Sequence, residues 1–182
     1  MADGRASGEE LEEDQFVKPP VISVEQVRES GEPCYRCLVP ESWADRNGHM
    51  NIRYFVVIFD DAGDELYLKI GLTPEFHAAH GTSTFDLEHH THFLREVKPG
   101  DTVAVYVRPV ARSAKRMHYL MFLVNETRGN VAAIFECVNS FMDMKVRKTA
   151  AYPAELAAQL DVWIATAEKL TWAAPICGAM GA

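Results

Sequence analysis

Ala44-Asp45-Arg46-Asn47-Gly48-His49-Met50-Asn51-Ile52-Arg53-Tyr54 is a polar loop that runs directly into a long apolar-periodic segment. From Ile52 onward, Phe55, Val56, Phe59, Ala62, Gly63, Leu66 and Ile70 recur at the three-and-four spacing of a helix with one buried face. Arg53, Asp60, Asp61, Asp64 and Lys69 fall largely between them. A helix of this length spans roughly 28 Å at 1.5 Å per residue, about the width of a small domain. Asn51 is placed as its N-cap and Gly71 as its stop. The loop therefore sets a reactive cluster at the start of the element around which a core can form.

Upstream, residues 1–20 carry Asp3, Glu9, Glu10, Glu12, Glu13 and Asp14 against Arg5 and Lys18, with hardly any large apolar side chain. Such a segment cannot offset its ordering entropy and is expected to be a disordered acidic tail. Residues 34–39 read as a strand leading to the Asp45 loop. Cys34 and Cys37 form a C-x-x-C, but three residues apart on a strand they point to opposite faces, and no second pair completes a zinc set. Reduced thiols are the expectation.

Downstream, Leu72 to His77 reads as a turn-rich connection. Period-two reading of Thr82 to Val97 sorts Phe85, Leu87, His89, Thr91, Phe93 and Val97 onto one face and Asp86, Glu88, His90 and His92 onto the other. Residues 102–111 alternate, with Val103, Val105 and Val107 on one side; Met117 to Val124 and Val131 to Met144 are apolar on both faces. These are strands of an antiparallel sheet, one face covering the helix and the other buried by a partner or another layer. Pro153 opens a second helix with Leu156, Leu160, Trp163, Ile164, Ala167 and Leu170 on one face. The expected division is a tail over 1–20, a domain over 21–150, a C-terminal helix over 151–170 and a flexible tail over 171–182.

With 182 residues and 48% hydrophobic content the chain can bury the core of one α+β domain. Its net charge of −8 argues against a nucleic-acid surface, and no apolar run is long enough to span a membrane. The acidic N-terminus lacks the parts of a signal peptide, so the cytoplasm is the expected location. His77, His80, Glu88, His90 and His92 offer metal-ligand chemistry but match no established spacing, and no metal is expected.

A strand, a reactive loop, one long helix and four antiparallel strands follow the element order of the hot-dog fold, in which the sheet wraps the helix. Asp45-Arg46-Asn47-Gly48-His49-Met50-Asn51 resembles the D-x-x-G-H-x-N motif of hot-dog acyl-CoA thioesterases of the 4-hydroxybenzoyl-CoA thioesterase type. Glu88-His89-His90, with Leu94 to Gly100, is similar to the second-strand pattern of the betainyl-CoA thioesterase subgroup. The resemblance covers residues 34–145. It implies Asp45 as the catalytic carboxylate, nucleophile or general base, and the backbone N–H of Ile52 as a donor to the thioester oxygen. It also implies a homodimer or homotetramer with sites at the subunit boundary, and no cofactor beyond the coenzyme A thioester that is the substrate.

The chemistry fits. Hydrolysis develops charge on the carbonyl oxygen, and the first N–H groups of a helix are unpaired donors at the positive end of its dipole. Glu88 and His90 are candidates to complete the catalytic pocket. His49 lines the site or bonds the loop backbone; Asn51 and Tyr54 stand beside it. Arg112, Lys115 and Arg116 are the expected holders of the coenzyme phosphates, with Arg147 and Lys148 as a second cluster. A quaternary ammonium acyl group would be held by Trp43, Tyr54, Phe55 or Phe85 with Asp86 or Glu88 as counter-charge. The alternatives are a metal protein, a hot-dog domain that binds acyl-CoA without cleaving it, and a dehydratase of the same fold.

Overall fold

The computed structural model describes residues 21–182, so the expected N-terminal tail lies outside the described residues. Helix α2 (Arg53–Lys69) buries Phe55, Ile58, Phe59, Ala62, Gly63 and Leu66. It starts one residue later than expected: Ile52 holds the cap position, and Asn51 caps from outside by accepting the Arg53 N–H on its Oδ1 at 3.2 Å. Gly71, at φ +85°, ends the helix as expected, and the N–H groups of Gly71 and Leu72 return to the carbonyls of Leu68 and Tyr67.

Strands β1 (Tyr35–Leu38), β2 (Thr82–Phe93), β3 (Thr102–Arg112), β4 (Arg116–Asn125) and β5 (Asn130–Asp143) form an antiparallel sheet in the order β1-β3-β4-β5-β2. A short β6 (Lys148–Thr149) continues beside β5. The inner face of the sheet closes on α2 through Val103, Val105, Met121, Leu123, Ala133, Phe135 and Phe141, joined by Leu156 and Leu160 of α4 (Ala154–Ala167). This is the wrapped arrangement of the hot-dog fold.

The outer face is covered from within the chain. Helix α1 (Val24–Arg28) brings Val24 and Val27 against Ala104, Tyr106, Leu120, Phe122 and Ile134. Residues expected as a flexible C-terminal tail cross the same face: Trp172 is buried edge-on against Phe122, with the Arg108 guanidinium 4.0 Å from its ring. The Cys177 N–H donates to Glu136 Oε2 at 2.7 Å, and Glu136 Oε1 meets His118 Nε2 at 2.7 Å. The segment expected to be a turn after α2 is instead a helix, α3 (Pro74–His80), capped by the Thr73 hydroxyl. Among the described residues no helix is long and apolar enough to cross a membrane.

Candidate active site

The Asp45 loop is folded by its own polar atoms. Asp45 and His49 are joined through the Asp45 N–H and the His49 carbonyl at 2.8 Å, and Gly48 takes the left-handed φ of +74° that closes the turn. Asp45 Oδ1 accepts the N–H groups of Asn47 at 2.7 Å and His49 at 3.3 Å. Those two bonds, the Asn47 one foremost, hold the carboxyl below its ordinary range. Among the described residues Oδ2 has no hydrogen-bond partner. The Met50 N–H donates to the Val97 carbonyl at 2.7 Å, which pins the loop to the connection between β2 and β3.

That connection supplies a residue that motif reading passed over. Glu96 Oε2 lies 3.1 Å from His49 Nε2, and both line a cavity of about 560 Å³ with Asp45, Ile52, Phe55, Phe93 and Arg95. At the helix start the N–H groups of Arg53, Tyr54 and Phe55 are taken by Asn51 Oδ1, Asn51 O and Ile52 O. The Ile52 N–H has no partner among the described residues, and Ile52 lines the cavity. Asp45, with one carboxylate oxygen uncommitted, and Ile52, with its N–H uncommitted, thus line one hollow. Tyr54 stacks on Trp43 with ring centroids 4.6 Å apart, which braces the loop against the helix.

Glu88 and His90 are not in this cavity. The β2–β5 register slips between Asp86 and Glu88, so Leu87 is an extra residue that turns the strand over. Asp86, His89, Thr91 and Phe93 consequently share the inner face, where His89 packs on Phe135 and Phe93 on Phe55. Glu88, His90 and His92 pair across β5 with Val138, Glu136 and Ile134 and belong to the outer face. The expectation that Asp86 sides with them is corrected by the bulge.

The metal reading on His77, His80, Glu88, His90 and His92 finds no convergence either. His77 bonds Thr82 Oγ1 at 3.0 Å and His80 bonds the Phe76 carbonyl at 2.8 Å, both on α3, away from the outer-face residues. Cys34 lies just before β1, so it and Cys37 both pack against the inner core instead of pointing apart; all four cysteines are free. Of the expected phosphate holders, Arg112 is committed to Asp161 of α4 at 2.6 Å, while Lys115 and Arg116 are exposed. They sit at the far end of β3 from the Asp45 loop, roughly 33 Å along the strand at 3.3 Å per residue. The residues nominated for an ammonium group are also dispersed: Trp43 and Tyr54 stack on each other, Phe55 is buried, and Phe85 and Asp86 line a separate groove of about 790 Å³ with Asp60, Asp64 and Tyr67.

Residues 39–160 match the model of the thioesterase-like superfamily. The betainyl-CoA thioesterase of Pseudomonas aeruginosa is 31% identical over 127 residues, covering 70% of this chain and 80% of that protein. The L-carnitine dehydrogenase/betainyl-CoA thioesterase of Agrobacterium fabrum is 34% identical over 119 residues, which cover 65% of this chain but 24% of that longer protein. Among solved structures, a Staphylococcus aureus protein characterised in complex with CoA superposes with a TM-score of 0.73 at 23% identity, over 81% of this chain and 93% of that one. A structure from Pseudomonas putida gives 0.67 at 26%, over 83% and 95%. With its wrapped sheet and its match across the core, the chain belongs to the thioesterase-like superfamily as an acyl-CoA thioesterase of the hot-dog fold.

Proposed function

We propose that the chain hydrolyses a small acyl-CoA thioester to the free acid and coenzyme A, with Asp45 attacking the carbonyl and the Ile52 N–H receiving its oxygen. The observation that carries this reading is the pairing of a free Asp45 Oδ2 with an unpartnered Ile52 N–H at one cavity. An N–H with no partner to give up can meet a developing oxyanion without breaking an existing bond. The lowered proton affinity of Asp45 keeps it ionised at neutral pH, so it can attack without first losing a proton.

In the first step the Asp45 oxygen bonds to the acyl carbon, the carbon–sulfur bond breaks, and coenzyme A leaves as the thiolate. Water then adds to the anhydride at the acyl carbon. Its proton passes to His49, which Glu96 orients, and Asp45 is released as carboxylate. The thiolate or solvent takes the proton from His49.

The assembly we propose is a homodimer or a dimer of dimers. Strand β2 is a twelve-residue edge with one side unpaired among the described residues, a form that recruits a further strand. Antiparallel pairing of two such edges brings the Phe93 end of one copy, beside its Asp45 cavity, against the Phe85 end of the other. Such pairing draws the partner's surface into each site. The activity named for the relatives makes an acyl group with a quaternary ammonium the substrate of first choice, and Phe93 and Glu96 supply an aromatic face and a carboxylate in the Asp45 cavity.

The test is release of free thiol from a panel of short acyl-CoA substrates by the wild-type chain, with sedimentation at micromolar concentration alongside. Turnover of at least one substrate by a dimer or tetramer supports the reading. A chain that binds acyl-CoA and cleaves none of the panel would be a binding module, and a monomer would remove the shared site.

A further inference from the structure

Asp86-Leu87-Glu88-His89 is a D-x-x-H whose ends would fall on opposite faces of a regular strand. The extra residue at Leu87 reverses that, and the register sets His89 directly across from Cys137 of β5. The ligand atoms of Asp86, His89 and Cys137 all lie within 4.8 Å of one another, and Asp86 Oδ2 is 3.0 Å from His89 Nε2. We propose that Asp86, His89 and Cys137 form a zinc-binding site between α2 and the β2–β5 pair, separate from the Asp45 cavity.

Thiolate, imidazole and carboxylate are the three ligand types zinc accepts together, and a sulfur ligand disfavours magnesium and calcium. Tetrahedral zinc at its usual bond lengths needs ligand atoms roughly 3.3 to 3.8 Å apart, so side-chain rotations close the present trio around an ion. The entry side is open, because Asp86 and His89 are 37% and 39% exposed at the side chain, while Cys137 is fully buried across from His89 on β5. Three protein ligands leave a fourth position, and Asp60 and Asp64 line the same hollow as Asp86 and His89.

Charge favours a cation there. Asp60, Asp64, Glu65 and Asp86 border the adjoining groove, and none has a Lys or Arg partner among the described residues. Burial, with the neighbouring Asp64 and Asp86 charges, already holds the Asp60 carboxyl above its ordinary range. Burial also pushes the Cys137 thiol up, so the ion must displace its proton: the S–H bond breaks, the sulfur–zinc bond forms, and the proton leaves to solvent with no change of oxidation state. The bound ion ties the bulge of the edge strand to β5 and presents its fourth position to the groove.

The experiment strips the full chain with a chelator and titrates it with Co²⁺, then Zn²⁺. The expected result is one Co²⁺ per chain, bound with release of about one proton, with a sulfur-to-cobalt charge-transfer band and the visible absorption of four-coordinate cobalt, both bleached when Zn²⁺ displaces the cobalt. Cys137→Ser should remove the sulfur band, and His89→Gln should weaken binding by about a hundredfold or more so that no band forms at one equivalent, whereas Cys34→Ser with Cys37→Ser leaves it intact. Because His89 sits on the open side, His89→Gln tests the site even where Cys137→Ser fails to fold: Zn²⁺ should raise Tm of the wild type and not of this variant. Absence of a sulfur band at one equivalent overturns the proposal, as does a band that survives His89→Gln or disappears with Cys34 and Cys37.

Discussion

Glu96 Oε2 stands 3.1 Å from His49 Nε2 at the cavity that also holds Asp45 and Ile52. The pair gives the site a proton acceptor and an orienting carboxylate, the relation that general-base catalysis needs. Asp45, held below the ordinary 3.8 by the Asn47 and His49 N–H groups, stays ionised throughout the neutral range, so its own protonation limb lies below that value. Glu96→Gln removes the carboxylate that orients His49 and should reduce kcat roughly tenfold or more with KM little changed. An unchanged kcat with only KM altered would reduce Glu96 to a loop contact.

Coenzyme phosphates need local positive charge on an acidic chain. Because Arg112 is spent on Asp161, the free members of its cluster are Lys115 and Arg116. Both lie at the Phe85 end of the sheet, which the proposed edge pairing sets beside the other copy's Asp45 cavity, so Lys115→Glu and Arg116→Glu should each raise KM about fivefold or more at low salt with kcat little changed. The effect should fade as salt is added. Arg112→Ala should act on stability instead, by freeing α4 from β3. If KM is indifferent to both reversals, the phosphates bind elsewhere.

Selectivity for the acyl group is measured by kcat/KM for betainyl-CoA against an uncharged branched acyl-CoA of similar size. A preference of roughly tenfold for the cation is expected from an aromatic face and a carboxylate. Glu88→Gln should leave that preference in place, because Glu88 is on the outer face of the sheet. Equal values for the two substrates would reject an ammonium pocket.

Trp172 seals the outer face against Arg108 and Phe122. Trp172→Ala should lower unfolding stability by about 3 kcal/mol, read from the urea midpoint at constant slope. A change under about 1 kcal/mol would mean that the C-terminal segment covers this face without stabilising it.

Much of this architecture was legible in the chain. Apolar spacing from Phe55 to Leu66 marks α2, and alternation with turn residues at Gly100 and Gly129 separates β2 to β5. Local signals also existed for the two helices passed over: Ser23 and Gln26 form a capping box ahead of α1, and Thr73-Pro74 with Gly81 brackets α3. The bulge at Leu87 was not legible, because a register slip is decided by the partner strand and leaves no period of its own. That single residue explains why Glu88 and His90 were drawn to the site and the Asp86–His89 contact was missed. Glu96 escaped for a different reason: its meeting with His49 depends on the Met50–Val97 bond between segments distant in sequence.

In the proposed reaction the Asp45 carboxylate attacks the thioester, and the measurement that bears on it most directly is the single-turnover and steady-state hydrolysis of the best acyl-CoA substrate by Asp45→Asn. The side chain keeps its size and an oxygen to accept the Asn47 N–H, so the loop should hold its shape. The predicted result is a fall in kcat of two to four powers of ten, roughly what losing a positioned catalytic group costs, with substrate binding retained. Turnover equal to wild type in a variant that still binds acyl-CoA would contradict the account and take Asp45 out of the chemistry.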